Sequence, residues 1–474
     1  MRSRNSLLLL ALLLAPLTGC PQGNQQSEGT CDPTAPECPD GQVCESTLSG
    51  EARCAEPLVI RGMVFEIATQ KPIEGALVQA ADINGAAVGT PGETDEAGNY
   101  TLTVPATRDP NGVPVDGVYT LRVQAQAYQE FPTAIRPALP LDAETATQED
   151  GTWVIENSLT IVALIPLPGD TSQLGWIKGA INADLNSGVL VVAEGQGEAL
   201  TGFSDSDGNY TIFNVPAGSY TIQGYFAGLQ LSAVQTSLTA GEQKTGVDLS
   251  QADRPLSTVS GDVQIVNAPG GSQTSVILAV ESTFVDAAGR GKVPPGLRVG
   301  GITGAFTIAD VPDGQYVVLA AFENDMLVRD PDLSISGTEV VRITVPDPTQ
   351  GNTITFSEGF KVTEALNIVR PGADQPQQVA TPTPTLEWED DSSEDGYIIR
   401  VFDSFGEQVW EDEIGPVSGS ATVTHQYAGP ALEVGMYYQF RVTSFRDTTN
   451  AGRVAISTTE DLKGVFFYLG DAAP

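Results

Sequence analysis

The sequence predicts an all-β protein, with tandem β-sandwich modules carried on a short disulfide-rich stalk. Three observations carry that reading. Gly (50) and Pro (32) are abundant, as in chains built from many short strands joined by turns. A strand-and-turn pattern recurs three times between residues 57 and 363, which marks separate modules and not one large core. Four of the five cysteines, Cys31, Cys38, Cys44 and Cys54, fall in one short segment, too short to bury a core unaided.

In chain order, Arg2 and Arg4 precede an apolar stretch over residues 7–17. A helix needs about 20 apolar residues to cross a bilayer, so the stretch reads as the hydrophobic region of a secretory signal. It ends in Leu17-Thr18-Gly19-Cys20, which resembles the lipobox of bacterial lipoproteins. That resemblance implies cleavage before Cys20, a diacylglycerol on its sulfur and an acylated new amine. The alternative is an ordinary secretory signal that happens to contain a cysteine. Buried acyl chains, at about 0.8 kcal/mol per methylene, would make the attachment durable. Pro21 stands where an Asp retains many such lipoproteins at the inner membrane, so the resemblance implies a lipid anchor in the outer membrane, at the cell surface or facing the periplasm. The expected division begins with a signal peptide at 1–19 and a lipid-anchored Cys-rich stalk at 20–56.

In an exported chain, the four clustered cysteines read as two disulfides with three possible pairings. A four-thiolate zinc site is the alternative; the lack of any C-x-x-C pair and the oxidising compartment oppose it. The segment Cys38-Pro39-Asp40-Gly41-Gln42-Val43-Cys44 resembles small cysteine-knuckle units beside lipoboxes in myxobacterial surface proteins. A compact stalk above the membrane is what it implies.

Each repeat opens with a strand of the form aliphatic-x-Gly-x-aliphatic: Ile60-Arg61-Gly62-Met63-Val64, Ile177-Lys178-Gly179-Ala180-Ile181 and Val259-Ser260-Gly261-Asp262-Val263. The two aliphatics share one sheet face, and the glycine between them admits a close neighbour. A polar turn follows, Thr94-Asp95-Glu96-Ala97-Gly98-Asn99-Tyr100 and Ser204-Asp205-Ser206-Asp207-Gly208-Asn209-Tyr210. The third repeat keeps only the Gly and the aromatic, in Ile302-Thr303-Gly304-Ala305-Phe306. Asp and Gly so placed close a hairpin. A second signal is Gly117-Val118-Tyr119, Gly218-Ser219-Tyr220 and Gly314-Gln315-Tyr316; Pro216 and Pro312 lie two residues before the Gly, and the first repeat inserts a loop over 108–116. Together these features resemble carboxypeptidase-regulatory-like domains, small sandwiches of the transthyretin (prealbumin) type. The resemblance implies modules at 57–168, 174–251 and 256–363 that fold and space without catalytic groups of their own.

After Thr381-Pro382-Thr383-Pro384 the pattern changes. Leu386-Glu387-Trp388 is followed by a strand pair over 397–403 and 407–410, with Ser404, Phe405 and Gly406 in the turn. Leu432 lies six residues before Tyr438, which begins the alternation Tyr438-x-Phe440-x-Val442. This combination resembles a fibronectin type III domain, with a core Trp and a tyrosine corner, and implies a fourth sandwich at 364–474. The run Thr459 to Phe467 is expected to finish its last strand.

The formal charge is −37, and −39 once residues 1–19, with two Arg and no acid, are removed. Such a surface repels nucleic acid and anionic lipid, so no nucleic-acid partner is expected. His425 is the single histidine, and nothing nearby supplies the nucleophile and acid of a triad. No H-E-x-x-H occurs, no metal site or cofactor is expected, and the chain does not read as an enzyme. Asp205 to Asn209 begins like a calcium loop, but Gly208 is fourth where that loop has its Gly sixth, and Pro216 stands where it needs Glu. A turn is the better reading, although the acidic residues around 390–395 can collect calcium weakly. The remaining candidates are aromatic. Trp176 points away from the face holding Ile177 and Ile181; Trp410 and Trp153 are less defined. Trp176 and Trp410 are the candidate ligand-binding residues, with packing between modules as the alternative use of Trp176. The expected role is binding or adhesion toward a polysaccharide or an envelope protein, against a stalk or scaffold of an envelope complex, or a carbohydrate-binding accessory to a surface enzyme.

Overall fold

The computed structural model describes residues 31, 38–39 and 42–470, apart from 84, 134–135, 196, 198, 267–273, 286–289, 322–340, 356–359, 364, 392–393, 450–451 and 461. The expected signal peptide and Cys20 lie outside the described residues. Among those described there is no α-helix, and the only helical turns are four 3₁₀ turns of three residues each. The protein is all-β, built of several β-sheet modules behind an N-terminal disulfide pair.

The stalk is a hairpin, Val43–Ser46 against Ala52–Ala55, with Cys44 opposite Cys54. Disulfides join Cys31 to Cys44 and Cys38 to Cys54, at sequence separations of 13 and 16. This selects one of the three pairings, and loops of that size contribute about 3 kcal/mol each in the chain-entropy account. The hairpin does not stand alone. Arg108 Nε lies 2.6 Å from Glu45 Oε2, and both side chains are buried. Ala106 N–H donates to the other Glu45 oxygen at 3.0 Å, and Arg108 Nη2 donates to the Glu56 carbonyl at 2.7 Å. Arg108 belongs to the insertion of the first repeat, which folds as Thr107–Arg108 against Pro114–Asp116. The insertion therefore seats the stalk on the first sandwich.

The three repeats share one strand order. The opening strands, Leu58–Glu66, Gly175–Asn182 and Ser257–Val266, each pair antiparallel with the strand after the polar turn, Asn99–Val104, Asn209–Val215 and Ala305–Val311. Each also pairs in parallel with two late strands, one after the other along its length, such as Thr152–Ile155 and Ile161–Leu164 in the first repeat. The facing sheet centres on Leu77–Ala81, Leu190–Glu194 and Thr274–Val280, each beside the Gly-x-Tyr strand. Inward aliphatics such as Ile60, Val64, Ile177, Ile181, Val259 and Val263 are buried between the layers.

The glycine of each opening strand sits opposite Tyr100, Tyr210 or Phe306. A Cβ on Gly62 would lie 1.9 Å from the Thr160 carbonyl oxygen, and one on Gly179 would lie 1.9 Å from that of Val247. Those same carbonyls accept the hydroxyls of Tyr100, at 2.7 Å, and of Tyr210. The small residue thus leaves room for a late loop to cross the strand and for a tyrosine to fasten it. The Gly-x-Tyr signal has a similar cause. Tyr220 and Tyr316 donate to the carbonyls of Pro216 and Pro312, both at 2.9 Å. Tyr119 reaches the Pro105 carbonyl across the insertion. The polar turns are side-chain closed, since Asp95 and Asp205 each accept from backbone N–H groups two and four residues on. Gly98 and Gly208 take positive φ there.

The C-terminal sandwich packs a sheet containing Thr385–Glu389 against one centred on Tyr437–Thr448 and Gly396–Asp403. Trp388 is fully buried, with its ring edge-on to Tyr397 at 5.5 Å. Glu433 N–H donates to the Tyr438 hydroxyl at 2.9 Å. One expectation is corrected: the last strand is only Val465–Tyr468. Before it, Thr459 makes only a single bridge to Leu366, and Gly464 has φ +78°, where a Cβ would meet the Phe440 carbonyl oxygen at 2.5 Å.

The first sandwich is the hub. Ala86 packs into an apolar cluster with Ile277, Val317 and Leu319 of the third, and Ala87 joins the core that the second and third share around Tyr225 and Tyr316. Arg136, buried in the first sandwich, donates through Nη2 to the Phe405 carbonyl at 2.8 Å. Its Nε lies 2.8 Å from Glu407 Oε1, as an ion pair angled off the hydrogen-bond line. Phe65 meets Phe405 edge-on at 5.8 Å. The C-terminal sandwich is therefore folded back onto the first.

Candidate functional site

The outer face of the first sandwich's facing sheet is covered incompletely by the second sandwich. Alternation along Leu77–Ala81 sends Val78 and Ala80 into the core and leaves Leu77 and Gln79 facing the second sandwich. Across from them stand Lys178–Ala180 of its opening strand, Phe203, and the Asp205 turn with Asn209 to Thr211. The space between is a cleft of about 560 Å³, within the size range of small-ligand sites.

Direct bonds hold the two walls. Asn214, at positive φ, donates to the carbonyls of Ala125 and Tyr128 at 3.0 and 2.9 Å and accepts from Ala127 N–H at 2.7 Å. Gln124 Nε2 donates to the Thr201 carbonyl at 3.0 Å. The cleft is thus fixed by contacts beside it and does not depend on an occupant.

Two residues of its lining each carry a polar atom that is closed off from solvent and without a partner among the described residues. Gln79 is 5% exposed; its Nε2 donates to the carbonyls of Ala80 and Val88, both at 2.8 Å, and its Oε1 has no partner among the described residues. Arg122 is the cross-strand partner of Gln79. Its guanidinium lies 5.7 Å from the centre of the Phe203 ring, and its buried Nη1 likewise has no partner. Burial pulls the Arg122 pKa down, against the opposing pull of Glu130 and Asp82. An unpaired buried acceptor and an unpaired buried donor each cost about 1–3 kcal/mol, more when charged, and the Gln79 amide turns toward the Val88 strand, on the side away from Arg122. The lining also carries Lys178, Glu93, Asp205 and Asp248, so both signs of charge are present.

The aromatic candidates lie apart. Trp176 is half-buried on the outward side of Gly175–Asn182, with Lys178 Nζ 4.9 Å from its ring centre, and Lys178 lines the cleft. Trp410 belongs to the C-terminal sandwich. It stacks on His425 at 5.8 Å, meets Tyr427 edge-on at 5.1 Å and packs against that sandwich's core. His425 Nε2 lies 2.9 Å from Asp412 Oδ2, and that hydrogen bond lowers the Asp412 pKa. Trp153 packs against the first core. The acids around 390–395 are engaged within the fold: Asp390 accepts from the Tyr397 hydroxyl, Asp391 from Ser444, Glu394 from Val417 N–H and Asp395 from Asp447 N–H. The cleft was not read from sequence. The one signal for it was a lone Gln in the otherwise apolar run Leu77-Val78-Gln79-Ala80-Ala81.

No family model matches the chain, and no curated protein is significantly similar to it. Among solved structures, the Bacillus anthracis TIE protein aligns at 11% identity over 84% of this chain and 68% of its own, with a TM-score of 0.16. A streptococcal ancillary pilin aligns at 11% identity over 65% and 99%, with a TM-score of 0.18. The shaft pilin SpaA from Lactobacillus rhamnosus GG aligns at 13% over 42% and 98%, with a TM-score of 0.16. Superpositions this loose bear on neither ligand nor partner.

Proposed function

We propose that this chain is a non-enzymatic lipoprotein of the bacterial outer membrane, tethered through Cys20, that binds a ligand in the cleft between its first two sandwiches. The cleft itself supports the reading: it is held open by bonds to either side, and its walls set Lys178, Glu93, Asp205 and Asp248 beside Leu77 and Phe203. We read the three repeats, at 57–168, 174–251 and 256–363, as carboxypeptidase-regulatory-like modules, supported by their common strand order. We read 364–474 as fibronectin type III-like, supported by Trp388 and Tyr438. The tether is supported by the lipobox resemblance and by the disulfide-bonded stalk that follows it.

The test uses the full-length chain and its Cys20→Ser and Ser206→Trp variants, expressed in a Gram-negative host. The parent chain is expected in washed membranes, and Cys20→Ser in the soluble fraction with its fold unchanged by circular dichroism. Ser206 is exposed on the cleft rim, so Ser206→Trp is expected to keep fold and tether but lose binding to isolated envelope material. Equal binding by Ser206→Trp would remove the cleft from the function. A second reading, a scaffold in an envelope complex, is favoured by the contacts of the first sandwich with the other three. It predicts co-purifying envelope proteins that Ser206→Trp does not release.

A further inference from the structure

We infer that the second sandwich offers an open sheet edge, Val234–Leu238, to the same strand of a second copy of this chain. This contact uses no residue of the cleft. Val234–Leu238 ends the sheet that runs through Leu200–Phe203, Leu190–Glu194 and Gly218–Tyr225, and it pairs with Gly218–Tyr225 alone. Among the described residues no other backbone bond reaches it. Such an edge presents a row of unpaired N–H and C=O groups, a template for another strand. The other sandwiches blunt theirs. In the first, the equivalent strand is only Leu141–Asp142. In the third, Val341–Val345 carries Arg342, which pairs with Glu281 at 3.2 Å, and runs into Pro346. In the C-terminal sandwich, the edge strand Gln408–Ile414 carries Glu411, Asp412 and Glu413. The second sandwich has no such guard, since residues 208–241 hold no charged side chain in a chain of net charge −37.

A second copy fits that edge in register and in charge. Along the strand Val234, Thr236 and Leu238 turn inward, while Gln235 and Ser237 are exposed. Antiparallel pairing about a two-fold axis at Thr236 sets Val234 opposite Leu238 of the second copy, and Gln235 opposite its Ser237. Apolar then meets apolar on one face and polar meets polar on the other. Such a contact is self-complementary, so both copies close their open edges at once. A basic segment from another protein is drawn by the net charge but finds no acid within 208–241 to pair with. Two acidic copies repel at long range, and salt screens that repulsion over about 8 Å at 0.15 M. Added salt therefore tightens pairing between copies, where it would loosen the hold on a basic partner.

Disulfide trapping tests the register. Cys20→Ser leaves a full-length chain whose other four cysteines are bonded in pairs, and Thr236→Cys or Ser237→Cys then adds one free thiol. Opposing residues of an antiparallel pair lie about 4.5–5.5 Å apart, within disulfide reach, whereas diagonal ones lie about 7–8 Å apart. Thr236→Cys is therefore expected to form a linked dimer about tenfold faster than Ser237→Cys, although Ser237 is the more exposed. Sedimentation of the Cys20→Ser chain is expected to show a dimer that tightens as salt rises from about 0.15 M to about 0.5 M. Gln235→Lys with Ser237→Lys sets lysine against lysine across the axis. That variant is expected to keep its fold by circular dichroism and to stay monomeric. Equal rates, or faster linkage at Ser237→Cys, overturn the pairing. So does a dimer that the two lysines leave intact, or one that loosens with salt. No dimer tighter than about 1 mM overturns it as well.

Discussion

Gly62 and Gly179 occupy strand positions where an alanine is ordinarily harmless, yet each has a backbone carbonyl where the methyl would go. Backbone cannot rotate aside as a side chain can. Gly179→Ala is therefore expected to destabilise the second sandwich by about 1–3 kcal/mol or more, the range for overpacking. Gly415, with nothing within 4 Å of its notional Cβ, provides the contrast, and Gly415→Ala is expected to stay within about 0.5 kcal/mol of the parent. Urea denaturation followed by tryptophan fluorescence checks both, and equal behaviour of the two would refute the steric account. At this scale the sequence was legible where a residue type is forced by backbone geometry. The repeating Gly, the Asp-Gly turns, Trp388 and Tyr438 all announced their places. Gln79 and Arg122 did not, because a polar residue on a strand looks the same whether it faces water or a cleft.

Among elements, the short insertion of the first repeat shows how a local irregularity becomes a joint. In the sequence it was only a departure from the Pro-x-Gly-x-Tyr spacing of the other repeats. In the structure its Arg108 forms a buried ion pair with Glu45 and so fastens the stalk hairpin. Removing one partner of such a pair costs about 3–5 kcal/mol, whereas replacing both with apolar residues is often neutral. Arg108→Met is thus expected to expose the stalk to limited proteolysis near residues 47–51 while the sandwiches stay protected. Arg108→Met with Glu45→Met is expected to recover most of that protection. If the single variant resists protease as the parent does, the joint is not what holds the stalk. The strand order of the repeats was legible as a repeat but not as pairing, since parallel partners 67 to 98 residues apart in the chain, such as Trp176 with Gln243 and Met63 with Ile161, leave no local pattern.

Across the molecule, contacts between sandwiches turn four modules into one body arranged about the first. None of these contacts was visible in the sequence, because Arg136, Asn214 and Phe405 gain their partners only once separate sandwiches meet. The Phe405 turn was legible as a turn and silent as an interface. Arg136→Ala removes the bond to Phe405, the ion pair with Glu407 and the guanidinium beside Phe131. The C-terminal sandwich is expected to swing free, raising the radius of gyration in small-angle scattering without loss of β-structure by circular dichroism. An unchanged scattering curve would show that Phe65 and its neighbours suffice to hold it.

In each repeat the first strand and the late strands run side by side in the same direction. In the first, Leu58–Glu66 receives the chain from the N-terminal side, where we propose the anchor, and Ile161–Leu164 passes it onward. A pull between the two ends of the chain thus draws these neighbours along their length in opposite senses. The ladder is loaded in shear, so its hydrogen bonds share the force instead of opening one after another. Modules built this way resist extension through the alignment of their strands, and pulling single molecules between Cys20 and the C-terminus is expected to show few, high-force ruptures in place of gradual unzipping.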